Sequence, residues 1–173
     1  MPPLLRSQLN HPQSSNKNAV AIAATLVLLA ALRVLPYSFV MQSMRIKTNR
    51  RTQMVDVTHE VQRVVTALGI KNGTCFLYVP HTTAGILINE HADPDVASDA
   101  EGALDRLVPS AGPYRHAEGN SDSHVKTMLV GMNTFVFVEE GKLALGRWQG
   151  IFLAEFDGPR ERHLYVKVLP DRV

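Results

Sequence analysis

A single cysteine, Cys75, excludes an internal disulfide and any cysteine-built metal site in this chain of 173 residues. It sits in the apolar run Thr74 to Val79, which reads as a buried strand and fits a reducing compartment. Aromatic residues are scarce, at 6%, and Trp148 is the lone tryptophan. The formal net charge of +2 comes from scattered Lys and Arg, with no basic run interleaved with aromatics, so no nucleic-acid partner is expected. Neither a repeat nor a charge block divides the chain, and one core is the expectation.

One long apolar run breaks this pattern. Residues 1–18 are polar, and Ala19 to Leu32 is then uncharged and apolar up to Arg33. A spanning helix needs about 20 apolar residues, which the run reaches only by continuing past Arg33; a signal peptide would need a small-x-small cleavage site, and none follows. Two readings result. In one, residues 19–35 anchor or target the protein to a membrane; in the other, translation starts at Met41 or Met44 and the protein is cytoplasmic. Residues 1–43 are thus read as an N-terminal extension and 44–173 as the globular domain.

From Met44 the pattern is regular. Met44 to Asn49 reads as a strand; Val57, Val61, Val64, Val65 and Leu68 share one helical face, with Asp56 or Thr58 as cap and Gly69 as stop. Thr74 to Val79 and Ala84 to Asn89 read as buried strands flanking a His81-Thr82-Thr83 corner. Asp93-Pro94 starts a helix to Leu107 with Val96, Ala100, Leu104 and Leu107 facing inward. A shorter helix begins at Ser121 or Asp122 and ends near Gly131. Asn133 to Val138, Leu143 to Gly146, Ile151 to Phe156 and Arg162 to Val168 complete the reading as an antiparallel meander.

The polar inventory is uneven. Pro80 to Asp95, Pro-His-Thr-Thr-Ala-Gly-Ile-Leu-Ile-Asn-Glu-His-Ala-Asp-Pro-Asp, concentrates imidazole, hydroxyl, amide and carboxylate groups between apolar runs, and two further clusters follow at His116 to His124 and Trp148 to Arg160. His81, His116 and His124 lie at a strand end, in a loop and near a helix start, and three neutral imidazoles can hold zinc with one position open. Asp122 or Glu118 could orient a ring. The bland alternative is three polar residues on silent loops. Glu90, beside Asn89, is the best-placed carboxylate for acid or base work. Ser121 at a helix start suits a phosphate group, or merely caps. Trp148 could stack on a flat ring or fill the core, and Arg147 and Arg160 could clamp phosphate or be ordinary surface residues.

The segments Pro80 to Glu90 with Asp93-Pro94-Asp95, His116 to Lys126, and Leu145-Gly-Arg-Trp-Gln-Gly-Ile-Phe-Leu-Ala-Glu-Phe-Asp-Gly-Pro-Arg160 together resemble the YjbQ-like, or secondary thiamine-phosphate synthase, family over about residues 44–168. The resemblance implies a compact single α+β domain of mixed, largely antiparallel sheet with two to three helices. It also implies a homotrimer with a histidine-lined site near a subunit boundary, where His81, His116 and His124 bind a divalent metal, zinc or else magnesium. The implied reaction is a weak condensation of hydroxymethylpyrimidine diphosphate with thiazole phosphate. Glu90, Asn89, Asp122 and Lys126 are then the catalytic candidates, and Ser121, Trp148 and Arg160 the binding ones. Arg147 departs from the small hydroxyl residue expected there. Two other classes use the same residues: a non-catalytic trimer that binds metal and a small phosphorylated metabolite, and a metal-assisted hydrolase.

Overall fold

The computed structural model describes residues 41–171. The extension read over residues 1–43, with its apolar segment 19–35, lies outside the described residues but for its last three. Among the described residues no helix is long and apolar enough to cross a membrane.

The described residues form eight strands and three helices, in the order β1 (Gln42–Lys47), β2 (Gln53–Asp56), α1 (Thr58–Leu68), β3 (Gly73–Tyr78), β4 (Ala84–Glu90), α2 (Pro94–Leu107), α3 (Ser121–Val130), β5 (Asn133–Glu139), β6 (Lys142–Leu143), β7 (Gln149–Glu155) and β8 (Glu161–Pro170). They form a five-stranded sheet in the order β1-β8-β3-β5-β6 and a three-stranded sheet in the order β2-β7-β4, with every pairing antiparallel. This is the expected α+β class.

Local chemistry explains most boundaries. Asp93 accepts a hydrogen bond from Asp95 N at 2.9 Å and Pro94 occupies the first turn of α2. Gly69 ends α1 with φ +67°, a conformation that costs a residue with a Cβ. The core joins α1 (Val61, Val65) to the inner faces of both sheets (Cys75, Leu77, Ile86, Leu153, Leu164, Val166). Burial pushes the Cys75 thiol up to about 12, so it packs as an inert apolar group.

Two expectations fail. The last four strands are not a meander: β5 and β6 pair with each other and β8 lies between β1 and β3, whereas β7 is the centre of the other sheet. β7 is buried at six consecutive positions, Gly150 to Glu155, so it must be covered on both faces and paired on both edges. Helix α2 fully buries none of its residues, and Leu107, expected inward, is 69% exposed. Val96, Ala100 and Leu104 are only half-buried, because α2 stands over a cleft instead of closing onto the sheet.

The chain changes sheet three times at one end of the molecule: β1 to β2 through residues 48–52, β3 to β4 through 79–83, and β7 to β8 through 156–160. Backbone bonds stitch the crossovers together, Thr48 N to Arg160 O at 3.0 Å, Gly158 N to Arg51 O at 3.0 Å and Phe156 N to Thr83 O at 3.2 Å. Strand ladders end here, so side chains must supply the remaining partners.

Candidate functional site

At the centre of that end, Glu155 is fully buried and accepts from Arg162 Nε at 2.7 Å, Arg162 Nη2, Thr48 Oγ1 at 3.0 Å, and the amides of Phe156 and Asp157 at 3.0 and 2.8 Å. Arg162 Nη2 also donates to Thr83 Oγ1 at 2.8 Å. One ion pair therefore ties all three crossovers.

Around it stands a second, partly open set. Arg160 Nη2 donates to Asp157 Oδ2 at 2.8 Å, and Asn120 Nδ2 donates to the same oxygen at 3.0 Å. Arg51 reaches Asp122 Oδ1 at 3.0 Å and lies 3.8 Å from Asp157. Asp122 and Lys126, one turn apart on α3, pair at 3.0 Å, and Lys126 Nζ also meets Asp105 at 2.6 Å. Burial works to raise the Asp122 carboxyl, but the bond from Lys126 and the charges of Lys126 and Arg51 outweigh it and hold the group below its ordinary value. Lys126, buried and engaged by two carboxylates, has no face turned to solvent. α3 is seated by Ser123 Oγ donating to Phe156 O at 2.6 Å. At the other end of α3, Gly85 lies so close to Gly131 O that a Cβ would be 2.5 Å away.

The three candidate metal ligands do not meet in one chain. His116 and His124 pack edge to face with centroids 5.5 Å apart, and with Tyr114 and Ser121 they line a cavity of about 450 Å3. His81 instead stacks on His163, and its Nε2 accepts from His163 N at 2.8 Å, which fixes the proton on Nδ1. His81 as held offers a donor, not a lone pair. Among the described residues no group of three or more His, Cys, Asp or Glu side chains is arranged to hold a metal ion. The donor set of one chain does not fit the implied metal.

His81 is held below the ordinary imidazole value, first by burial and then by the charges of Arg162, His163 and Arg160 against an opposing Glu155. The folded chain thus binds this proton less readily than the unfolded chain. The group costs nothing above the unfolded value of 6.5 and destabilises the fold as pH falls below it. Asp122, also lowered, acts in a separate window, losing stability only below 3.8. The thermal midpoint should fall between pH 7 and pH 5, and less so in His81→Gln; an equal fall in both proteins overturns the assignment.

The remaining candidates lie at the far end of β4 and β7. Register pairs Ala84 with Glu155 but Glu90 with Gln149, and six strand steps of about 3.3 Å put roughly 20 Å between them. Asn89, Glu90 and the half-exposed Trp148, which stacks under Arg147 at 4.7 Å, are therefore not brought to the Arg51, Asp122, Lys126 and Arg160 end within one chain. Beside them is a pair that sequence reasoning passed over: His91 Nδ1 lies 3.0 Å from Asp56 Oδ2, and Asp56 also accepts from Thr58 N at 2.8 Å. Arg51, Glu155, Asp157, Arg162 and His163 were likewise missed as site residues. The available signal was a charge inside an apolar run, as Glu155 is within Ile151 to Phe156.

Fold and site together define an α+β domain whose polar centre is built where strands pass between two antiparallel sheets. Residues 42–171 match the model of the family described as UPF0047 protein YjbQ-like, and the chain belongs to that family. It is 46% identical to the UPF0047 protein YugU of Bacillus subtilis over 75% of this chain and 98% of that one. A UPF0047 protein of Methanocaldococcus jannaschii is 48% identical over 74% of this chain and 93% of its own length. A solved structure of a YjbQ/UPF0047 family protein from Clostridium acetobutylicum superposes with a TM-score of 0.73 at 45% identity, covering 74% of this chain and 99% of that one.

Proposed function

We propose that the protein is an enzyme acting on a small phosphorylated substrate at its sheet-switching end. The reaction its family resemblance implies is condensation of hydroxymethylpyrimidine diphosphate with thiazole phosphate. One observation carries the reading: Arg51 and Arg160 keep 46% and 48% of their side chains exposed while Asp122 and Asp157 behind them are buried. An arginine braced on one side by a buried carboxylate presents its other N–H groups in a fixed direction, the fork geometry that suits phosphate. The start of α3, at Ser121, adds partial positive charge nearby. Departing pyrophosphate gathers negative charge that such donors stabilise more than they stabilise the ground state. In this reading Asp122 and Lys126 position Arg51 without touching substrate.

The metal and the trimer belong together in the proposal. His116 and His124 supply two imidazoles, so a divalent ion, zinc by its donor preference or else magnesium, would need further donors from a second copy. Phe76, Phe135 and Phe137 are 43%, 52% and 58% exposed on the outer face of the five-stranded sheet, with the Phe135 ring in contact with the other two. An aromatic patch of this kind is what subunit contact covers, and a homotrimer in solution is the expected state.

Purified full-length chain given both precursors should release thiamine phosphate and pyrophosphate. Arg160→Ala should cut the rate roughly ten- to hundredfold, as expected for losing a charge-assisted contact. Diphosphate hydrolysis without condensation would favour the hydrolase, and binding without turnover the non-catalytic reading. Full metal occupancy in His124→Ala would remove that residue as a ligand.

A further inference from the structure

We infer that the cleft between α2 and the three-stranded sheet binds a small organic cation with an apolar body. Its inner part is a cavity of about 280 Å3 walled by Leu87 and Phe152 of the sheet and Ala100 and Leu104 of α2. A second cavity of about 320 Å3 shares Met54, Ala97 and Phe152 with the first, so the two are parts of one cleft. Their volumes suit a small ligand. The alanines of α2 set the space, since a larger side chain at position 97 or 100 would fill it.

The polar groups of the cleft select the charge. Glu90 and Asn89 border the apolar part, and Glu90 makes no side-chain hydrogen bond or ion pair among the described residues. Arg50, which lines the outer part of the cleft, is already engaged by both oxygens of Glu101 at 3.0 and 3.1 Å. His91 Nδ1 donates to the Asp56 carboxylate at 3.0 Å, and in the neutral ring Nε2 is then an acceptor. Asp93 caps α2 through one oxygen, and its other oxygen makes no hydrogen bond among the described residues. The cleft thus offers carboxylate and imidazole acceptors with an excess of negative charge, beside an apolar chamber. A protonated amine carried on a ring or a branched alkyl group satisfies both halves, whereas an anion meets Glu90 unpaired.

This site does not depend on chemistry at the Arg51 and Arg160 end. Benzylamine, benzyl alcohol and benzoate, which share one ring and differ in charge, test it by ligand-observed NMR on the full chain. Benzylamine should bind and benzoate should not. Glu90→Gln should weaken benzylamine about tenfold and leave benzyl alcohol unchanged, while Ala100→Phe should abolish both. Failure of benzylamine to bind, equal binding of all three, or benzylamine affinity untouched by Glu90→Gln overturns the inference. If Ala100→Phe fails to fold, the Glu90→Gln comparison still decides.

Discussion

Arg162→Met should destabilise the domain by about 3–5 kcal/mol, the range for removing one member of a buried ion pair. Arg162 keeps 4% of its side chain exposed and Glu155 none. Without the guanidinium, Glu155 retains only Thr48 and two backbone amides as donors for a full negative charge. Thr83, at the β3 to β4 crossover, loses its side-chain link to β8 as well and keeps only the backbone bond from Phe156 N. Lysine at this position should restore little, because one ammonium cannot serve two carboxylate oxygens and a threonine in the geometry of a planar fork. Denaturant unfolding reads the effect as a lowered midpoint at unchanged slope. A loss below about 1 kcal/mol would place the pair among weakly contributing surface bridges and would remove it as the tie between crossovers.

The prominence of that pair also explains what the sequence made legible. Periodicity and capping chemistry act within a few residues, so helix α1 with its Gly69 stop and helix α2 with its Asp93-Pro94 start were readable from local signals. Sheet membership was not. β3 and β4 follow each other with a five-residue corner, yet belong to different sheets, because Glu155, Arg162 and Thr83 hold the corner open across separations of up to 79 positions. Nothing in the 79–83 segment alone encodes that partner. The histidines divide similarly: the loop position of His116 and the place of His124 near a helix start were readable locally, but His81 stacks on His163 of β8, which a spacing argument cannot supply. His91 was hidden by its position next to the cap of α2, and its partner Asp56 lies 35 residues away.

Lys126→Met should cost about as much as Arg162→Met, about 3–5 kcal/mol, by leaving Asp122 charged in a buried position. Asp122 keeps 1% of its side chain exposed, and Arg51, itself 46% exposed, reaches only one of its oxygens. Asp105 is 53% exposed and can return to water, so the penalty falls on Asp122. The double variant Lys126→Met with Asp122→Asn should therefore recover most of the loss, since the uncompensated charge is gone and the amide oxygen can still accept from Arg51. Such non-additivity marks a pair that acts as one unit. If the two single effects simply add, Lys126 is not needed to neutralise Asp122. The same variants separate structure from chemistry: the double protein should be folded yet weaker toward inorganic phosphate, because Arg51 has lost the charged carboxylate that fixes its guanidinium. Unchanged phosphate affinity there would mean that Arg51 is no part of an anion site, and would leave Arg160 and the start of α3 to carry that role alone.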